Sequence, residues 1–325
     1  MWYKSAMDIS PLIKRVARGK HGSENLSRDE ARLVFEQLLS PDADELQLGA
    51  FLIAQRMKGE TSGELAGFVE AARATIAGYG KVDVLKGAVD LPCYAGKRRA
   101  GHAYLAAALK ARDAGIPVFV HGVDQIEGRV TAWQVLQRAG INRAGNLVEA
   151  AQLIQRDGIV YADLSDLSPD LFRIYSLRSR LGVRSFVNTV TRLLNPMGCE
   201  GQLNGFFHTP YADYMAEANG LLGQLRALIF MGAEGEPELY ADRQKVIVKQ
   251  QGKLVTRLTF PASGLDYYPR LPMDVQTLTE QSVSMLNDVL SDRECAVVQR
   301  MDEAFSWAAT GVMPADWREE EMKHE

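Results

Sequence analysis

The chain is poor in the residues that staple or metallate proteins. Its 325 residues include three cysteines, Cys93, Cys199 and Cys295, and five histidines. The cysteines are odd in number, scattered and without a CxxC pair, so neither a disulfide framework nor a zinc site is expected. Reduced thiols in a cytosolic protein are the ordinary state for such a set. No apolar run approaches a membrane span, and the first twenty residues hold no unbroken apolar stretch long enough for a signal peptide. The expected location is the cytoplasm, with no membrane partner. Positive charge is not in excess either, the formal net charge being -4. That argues against a protein basic all over, as many coat proteins of nucleic acids are, and leaves room for a local basic patch. Internal repeats and low-complexity linkers are absent.

What is present suits a globular protein. The chain is 46% hydrophobic and 24% charged, and a length of this order buries roughly three quarters of the unfolded surface. The first eighty residues carry helix signals. Ser27 with Glu30, and Thr61 with Glu64, have capping-box spacing, in which each side chain reaches the other's backbone amide. Leu33, Val34, Phe35, Leu38 and Leu39 follow the first box; Leu65, Phe68, Val69, Ala72 and Ile76 follow the second. Between them, residues 46–57 are apolar nearly all round, so that helix is expected to be buried on more than one side, inside a bundle or at a subunit interface.

From residue 88 the pattern becomes α/β. Short apolar strands are predicted at 88–91, 118–120, 159–161 and 228–231, with helical crossovers at 103–113, 131–139 and 146–155. Residues 245–249 and 254–260 alternate around a glycine turn and predict a hairpin. The charged end, from Met313, is expected to fray. The expected fold is a small N-terminal helical domain, residues 1–80 with helices from about 170–195 packing on it, beside an α/β domain with a mostly parallel central sheet, residues 81–325.

Three segments narrow the fold further. Residues 26–73 resemble the N-terminal helical domain of anthranilate phosphoribosyltransferases and related nucleoside phosphorylases. Residues 181–197, LGVRSFVNTVTRLLNPM, resemble the segment that carries LLNP in that family, and residues 205–239 resemble its later helix and strand. The resemblance implies the nucleoside phosphorylase/phosphoribosyltransferase type of fold, and it also shows where this chain departs from the pattern.

The family's glycine-rich loop, D-x-x-G-T-G-G-D, lets backbone amides close on a diphosphate. Here the matching stretch is Asp90-Leu91-Pro92-Cys93-Tyr94-Ala95-Gly96-Lys97, and only Asp90 and Gly96 remain. The family's K-H-G-N becomes Val120-His121-Gly122-Val123. Its serine-rich phosphate loop becomes Gln125-Ile126-Glu127-Gly128-Arg129, in which Glu127 would repel phosphate. Its Asp-Glu pair for magnesium becomes Glu234-Gly235-Glu236-Pro237-Glu238, leaving Glu238 as the weak metal candidate, with help from Glu234 or Glu236. An ammonium in place of a carboxylate beside a divalent ion turns attraction into repulsion. Each unit-charge pair is worth about 4 kcal/mol at roughly 4 Å in an effective dielectric of about 20. Lys97 therefore argues against conventional phosphoribosyl transfer.

The replacements have a direction. Lys97, Arg98 and Arg99 form one basic cluster, and Arg178, Arg180 and Arg184 a second, in the region where the family contributes arginine to its acceptor site. The pattern resembles the YbiB-like branch of the family. That resemblance implies dimers that bind nucleic acid, with the six cations on phosphates of DNA or RNA and little sequence preference. Tyr94 is then a candidate to stack on a base. No catalytic residue and no cofactor is expected on this reading, and the partners are DNA or RNA and a second copy of the chain through the helical domain. The alternative is a phosphoribosyltransferase of altered substrate. Its remaining site is Gly96, His121, Gly122, Arg184, Asn188 and Glu238, with magnesium as cofactor.

Overall fold

The computed structural model describes residues 8–19, 21–207, 211–243, 245–265 and 267–320. Four helices open the chain: α1 (Ser10–Val16), α2 (Arg28–Leu39), α3 (Glu45–Lys58) and α4 (Ser62–Ala74). Both expected capping boxes are formed, Ser27 with Glu30 ahead of α2 and Thr61 with Glu64 ahead of α4. Each supplies two of the amide acceptors that a helix start otherwise lacks. The bundle closes on aromatic rings. Phe186 stacks on Phe68 at 4.2 Å between centroids, and meets Phe35 and Phe51 edge-on at 5.2 and 5.9 Å. These rings bring the segment around 170–195 onto the first helices.

Helix α3 is buried on one side only within a single copy of the chain. Leu48, Phe51, Leu52 and Gln55 are buried, whereas Leu46 is 82% and Met57 80% exposed. Ala50 and Ile53 are exposed as well, so the helix buries one side and leaves an apolar stripe open at helical spacing.

The α/β part is one nine-stranded sheet in the order β3-β4-β2-β1-β5-β6-β7-β8-β9. The strands are β1 (Val89–Cys93), β2 (Val118–Gly122), β3 (Arg143–Ala144), β4 (Ile159–Asp163), β5 (Gly201–Phe206), β6 (Arg226–Met231), β7 (Ile247–Gln251), β8 (Leu254–Thr259) and β9 (Arg318–Glu320). Neighbours from β3 to β6 run parallel, and β7, β8 and β9 are added antiparallel. Alternate side chains serve two cores. Phe119, Val160, Ala227 and Ile229 face the helical domain and the helix Leu147–Asp157. Val118, Val120, Leu228 and Phe230 face the helices Ala103–Asp113 and Asp292–Thr310. Cover on both faces is what a parallel sheet requires.

Two expectations fail here. The chain end does not fray through residue 320: Trp317 is buried and β9 pairs with β8. Strand β5 has no counterpart among the predicted strands, because Gly201-Gln-Leu-Asn-Gly-Phe lacks an apolar run, yet it lies in the middle of the sheet beside β1. Its Gln202 and Asn204 are buried; Gln202 donates to Asp90 and accepts from the Asn204 amide nitrogen. No helix among the described residues is long and apolar enough to cross a membrane.

Candidate functional site

Chain order reverses direction at β1. Strand β2 lies on one side of it and β5 on the other, which opens a crevice at the carboxyl ends of the strands. Three segments meet there: residues 94–102 after β1, Phe207 after β5, and residues 232–238 after β6.

The loop after β1 turns its backbone amides to one side. Gly96 has φ +63, in the left-handed region that favours glycine. The partners of these amides belong to the chain itself. Ala95 N–H donates to Glu236 Oε1 at 3.0 Å, and Gly96 N–H donates to the same oxygen. Arg98 and Arg99 N–H donate to Glu234 at 3.1 and 3.0 Å, and the Tyr268 hydroxyl adds a bond at 2.9 Å. Glu238 receives the Lys97 ammonium at 2.5 Å and the Tyr104 amide at 3.2 Å. All three glutamates are buried. Burial pushes the Glu236 carboxyl up, opposed by the Gly96 amide, Arg192 and the Ala95 amide.

This geometry corrects the expectation for Lys97. It is fully buried, tied to Glu238 and to the Gly101 carbonyl at 2.6 Å, and cannot reach a phosphate outside the protein. A buried ammonium is held where a carboxylate compensates it. Arg99 also turns inward, with Nε 3.5 Å from Glu234 and its guanidinium over the Tyr268 ring. Arg98 is exposed. Glu238 is committed to Lys97 and does not offer itself to a metal; among the described residues no group of three or more His, Cys, Asp or Glu is placed to hold one.

Tyr94 is corrected too. It is 3% exposed, its hydroxyl shares a hydrogen bond with His121 Nδ1 at 2.7 Å, and its ring leans on Tyr175. Its face is therefore not open to a base. His121 Nε2 lies 3.2 Å from Asp90 Oδ1, whose other oxygen accepts from Gln202. Gly122 pairs with Cys93 in the β1–β2 ladder, and a Cβ there would collide with the Cys93 carbonyl. Its absence of a side chain serves strand packing.

Beside the filled loop lies a cavity of about 410 Å³ with Arg56, Arg178, Arg184 and Arg192 in its wall, together with Asn188, Glu60 and Phe207. Arg192 donates to the carbonyls of Gly205 and Asn188 at 2.9 and 2.6 Å, and Arg56 donates to the Arg184 carbonyl at 2.6 Å. Arg178 and Arg184 have no ion-pair partner among the described residues. Burial, with Arg178, Arg192 and Arg129 nearby, pushes the Arg184 guanidinium down to about 10. Burial pushes the Arg129 guanidinium down, with Glu234 opposing the shift and Arg98 and Arg178 adding to it. Arg180 stands apart, exposed and 4.0 Å from Glu45. Arg56, Arg129 and Arg192 are site residues that the sequence reading misses. Arg192 sits within the LLNP segment and Arg129 ends the segment that matches the family's phosphate loop, while Arg56 carries no signal that folding would bring it here.

The fold and crevice define a two-part glycosyltransferase-like protein, a helical bundle set against an α/β sheet. The family described as glycosyl transferase family, helical bundle domain, matches residues 10–76. The chain is 30% identical to the uncharacterized protein YbiB of Escherichia coli over 81% of this chain and 83% of that one. It is 30% identical to anthranilate phosphoribosyltransferase of Bradyrhizobium over 71% and 67%. The anthranilate phosphoribosyltransferase structure from Thermus thermophilus superposes with a TM-score of 0.72 at 23% identity, covering 92% of this chain and 89% of that one. The enzyme from Saccharomyces cerevisiae, in complex with PRPP and Mg, gives 0.73 at 14% identity, covering 94% and 90%. The chain belongs to the anthranilate phosphoribosyltransferase-like family, which has YbiB-like members. The magnesium of that yeast complex does not fit the residues present here, because Lys97 takes Glu238 and backbone amides take Glu234 and Glu236.

Two outcomes follow. Lys97→Ala leaves Glu238 buried without its cation and should destabilise the fold by about 3–5 kcal/mol, read from urea unfolding. Glu60, at the cavity wall, is pushed up to about 7, mainly by burial. Below that pH Glu60 is neutral and does not oppose an anion beside the arginines; above it the Glu60 carboxylate does. Affinity for an anion in the cavity, followed by calorimetry, should fall as pH rises through about 7, and Glu60→Gln should remove that step.

Proposed function

We propose that the protein binds nucleic acid, DNA or RNA, through phosphate contacts with little sequence preference. Arg178 and Arg184 are the principal contacts, and Arg56, Arg98 and Arg192 flank them. The observation that carries this reading is the arginine wall itself. Four guanidiniums border one cavity, and neither Arg178 nor Arg184 is neutralised by a carboxylate among the described residues. Such a field needs anions from outside, and a phosphate backbone supplies them in series. Arg180, at the rim near Glu45, adds a weaker contact.

A second reading, a phosphoribosyltransferase of altered substrate, draws on the relatives named for that activity and on Gly96, Arg184 and Asn188 lying at the same crevice. It requires a donor whose diphosphate would compete with Glu234 and Glu236 for the same amides. On the leading reading the protein uses no cofactor; the second, with magnesium as cofactor, requires Glu238 to release Lys97.

Fluorescence anisotropy with labelled single- and double-stranded oligonucleotides at several salt concentrations tests the proposal. Binding should weaken steeply with salt. Arg178→Ala with Arg184→Ala should weaken it for all sequences and lower the salt slope by about 1 for each phosphate-binding arginine removed. Absence of binding at low salt would refute the reading, and product formation from anthranilate and PRPP above background would favour the second.

A second copy of the chain is the other proposed partner, seated on the apolar stripe of α3 formed by Leu46, Ala50, Ile53 and Met57. Sedimentation should show a dimer, and Ile53→Glu with Met57→Glu a monomer.

A further inference from the structure

We propose that Tyr267, held by Arg243, is a stacking platform for an unpaired base, so that the nucleic acid is single-stranded where it leaves the arginine wall. The inference rests on the nucleic-acid reading and adds to it a contact that phosphates cannot make. Strand β8 runs in the direction of the parallel strands, being antiparallel to β7, which is antiparallel to β6. The segment after β8 therefore emerges at the carboxyl ends of the sheet, on the same edge as the loops after β1 and β6. It is fastened there. Met273 N–H donates to the Arg98 carbonyl at 2.7 Å, and the Tyr268 hydroxyl reaches Glu234, itself in the cavity wall, at 2.9 Å. Arg98 and Arg270, both exposed, are cations of this rim.

Two adjacent tyrosines of this segment have opposite fates. Tyr268 is buried and meets Tyr240 edge-on at 5.4 Å between centroids. Tyr267 is 73% exposed, and its ring is held from behind: the Arg243 guanidinium lies 5.0 Å from its centroid and 5.5 Å from that of Tyr240. Asp242 fixes Arg243 through an ion pair at 2.6 Å and accepts from the Tyr268 amide at 3.4 Å. A guanidinium is attracted to the face of an aromatic ring, so Arg243 orients Tyr267 while Asp242 balances its charge. A ring oriented in advance loses little freedom when a base stacks on it. Every base has a π face, so the contact is indifferent to sequence. A duplex keeps its bases inside and offers none to a ring at its side. Tyr267 thus has the open face that Tyr94, covered by His121 and Tyr175, lacks.

The test measures fluorescence anisotropy at low salt with three labelled probes of equal length: an oligothymidylate, the same backbone carrying abasic sites throughout, and the duplex of the oligothymidylate with oligodeoxyadenylate. Tyr267→Ala should weaken binding of the oligothymidylate by about fivefold or more, the scale of one lost base stack. The abasic strand and the duplex should bind it as they bind the wild-type chain. Tyr267→Phe keeps the ring and should match the wild-type chain on all three probes. Arg178→Ala with Arg184→Ala should weaken all three together. An unaltered affinity of Tyr267→Ala for the oligothymidylate overturns the proposal and leaves the arginine wall standing. So does an equal loss on the abasic strand or the duplex, or a loss in Tyr267→Phe as large as in Tyr267→Ala. Failure of the wild-type chain to bind any probe overturns both readings.

Discussion

The crevice depends on how three carboxylates within five residues are kept under the surface. A buried carboxylate is costly unless hydrogen bonds or a cation compensate its lost hydration. Glu236 is met by two amides, Glu234 by two amides and a tyrosine hydroxyl, and Glu238 by an ammonium and an amide. Every one of those partners except the Tyr268 hydroxyl comes from residues 95–104. The loop after β1 and the loop after β6 therefore specify each other. Lys97 is buried because Glu238 is there, and Arg99 turns inward toward Glu234. The cations left facing the cavity belong to a different part of the chain.

That division keeps the crevice of the fold while changing which of its groups face outward. In an open α/β sheet the ligand site lies at the carboxyl ends of the strands, where chain order reverses. Here part of that region is filled from within, and the part beside it carries uncompensated guanidiniums. Fold alone does not decide function. On the reading proposed above the deciding residues are Arg178 and Arg184, which line the cavity without an ion-pair partner among the described residues, and the glutamates that occupy the amides of the adjacent loop. A small anion and a phosphate strand make different use of such a wall, since only the strand can also draw on Arg98 and Arg180 beyond the cavity.

The parts legible in sequence are those set by local physics. Ser27–Glu30 and Thr61–Glu64 form capping boxes because the partners lie three residues apart. Apolar strands β1, β2, β4 and β6 and the hairpin of β7 and β8 announce themselves by composition. Strand β5 does not, because its polar Gln202 and Asn204 are buried only by virtue of Asp90 and Asn219, which are distant in sequence. The same difficulty affects the site. A lysine next to two arginines reads as a cationic cluster, and only Glu238, 141 residues away, turns Lys97 into an internal group. Tyr94 reads as a stacking face in a sequence that does not show His121 and Tyr175 covering it. Arg56, from the helical domain, reaches the cavity through tertiary packing that no local pattern records.

Amide hydrogen exchange with and without a single-stranded oligonucleotide tests the central claim most directly, because it reads the glutamate-filled loop after β1 and the arginine wall together. Residues 95–99 should be protected in the free protein and unchanged by the oligonucleotide, while the segment 178–192 gains protection. Fast exchange at 95–99 in the free protein, or new protection there on adding the oligonucleotide with none at 178–192, would contradict it.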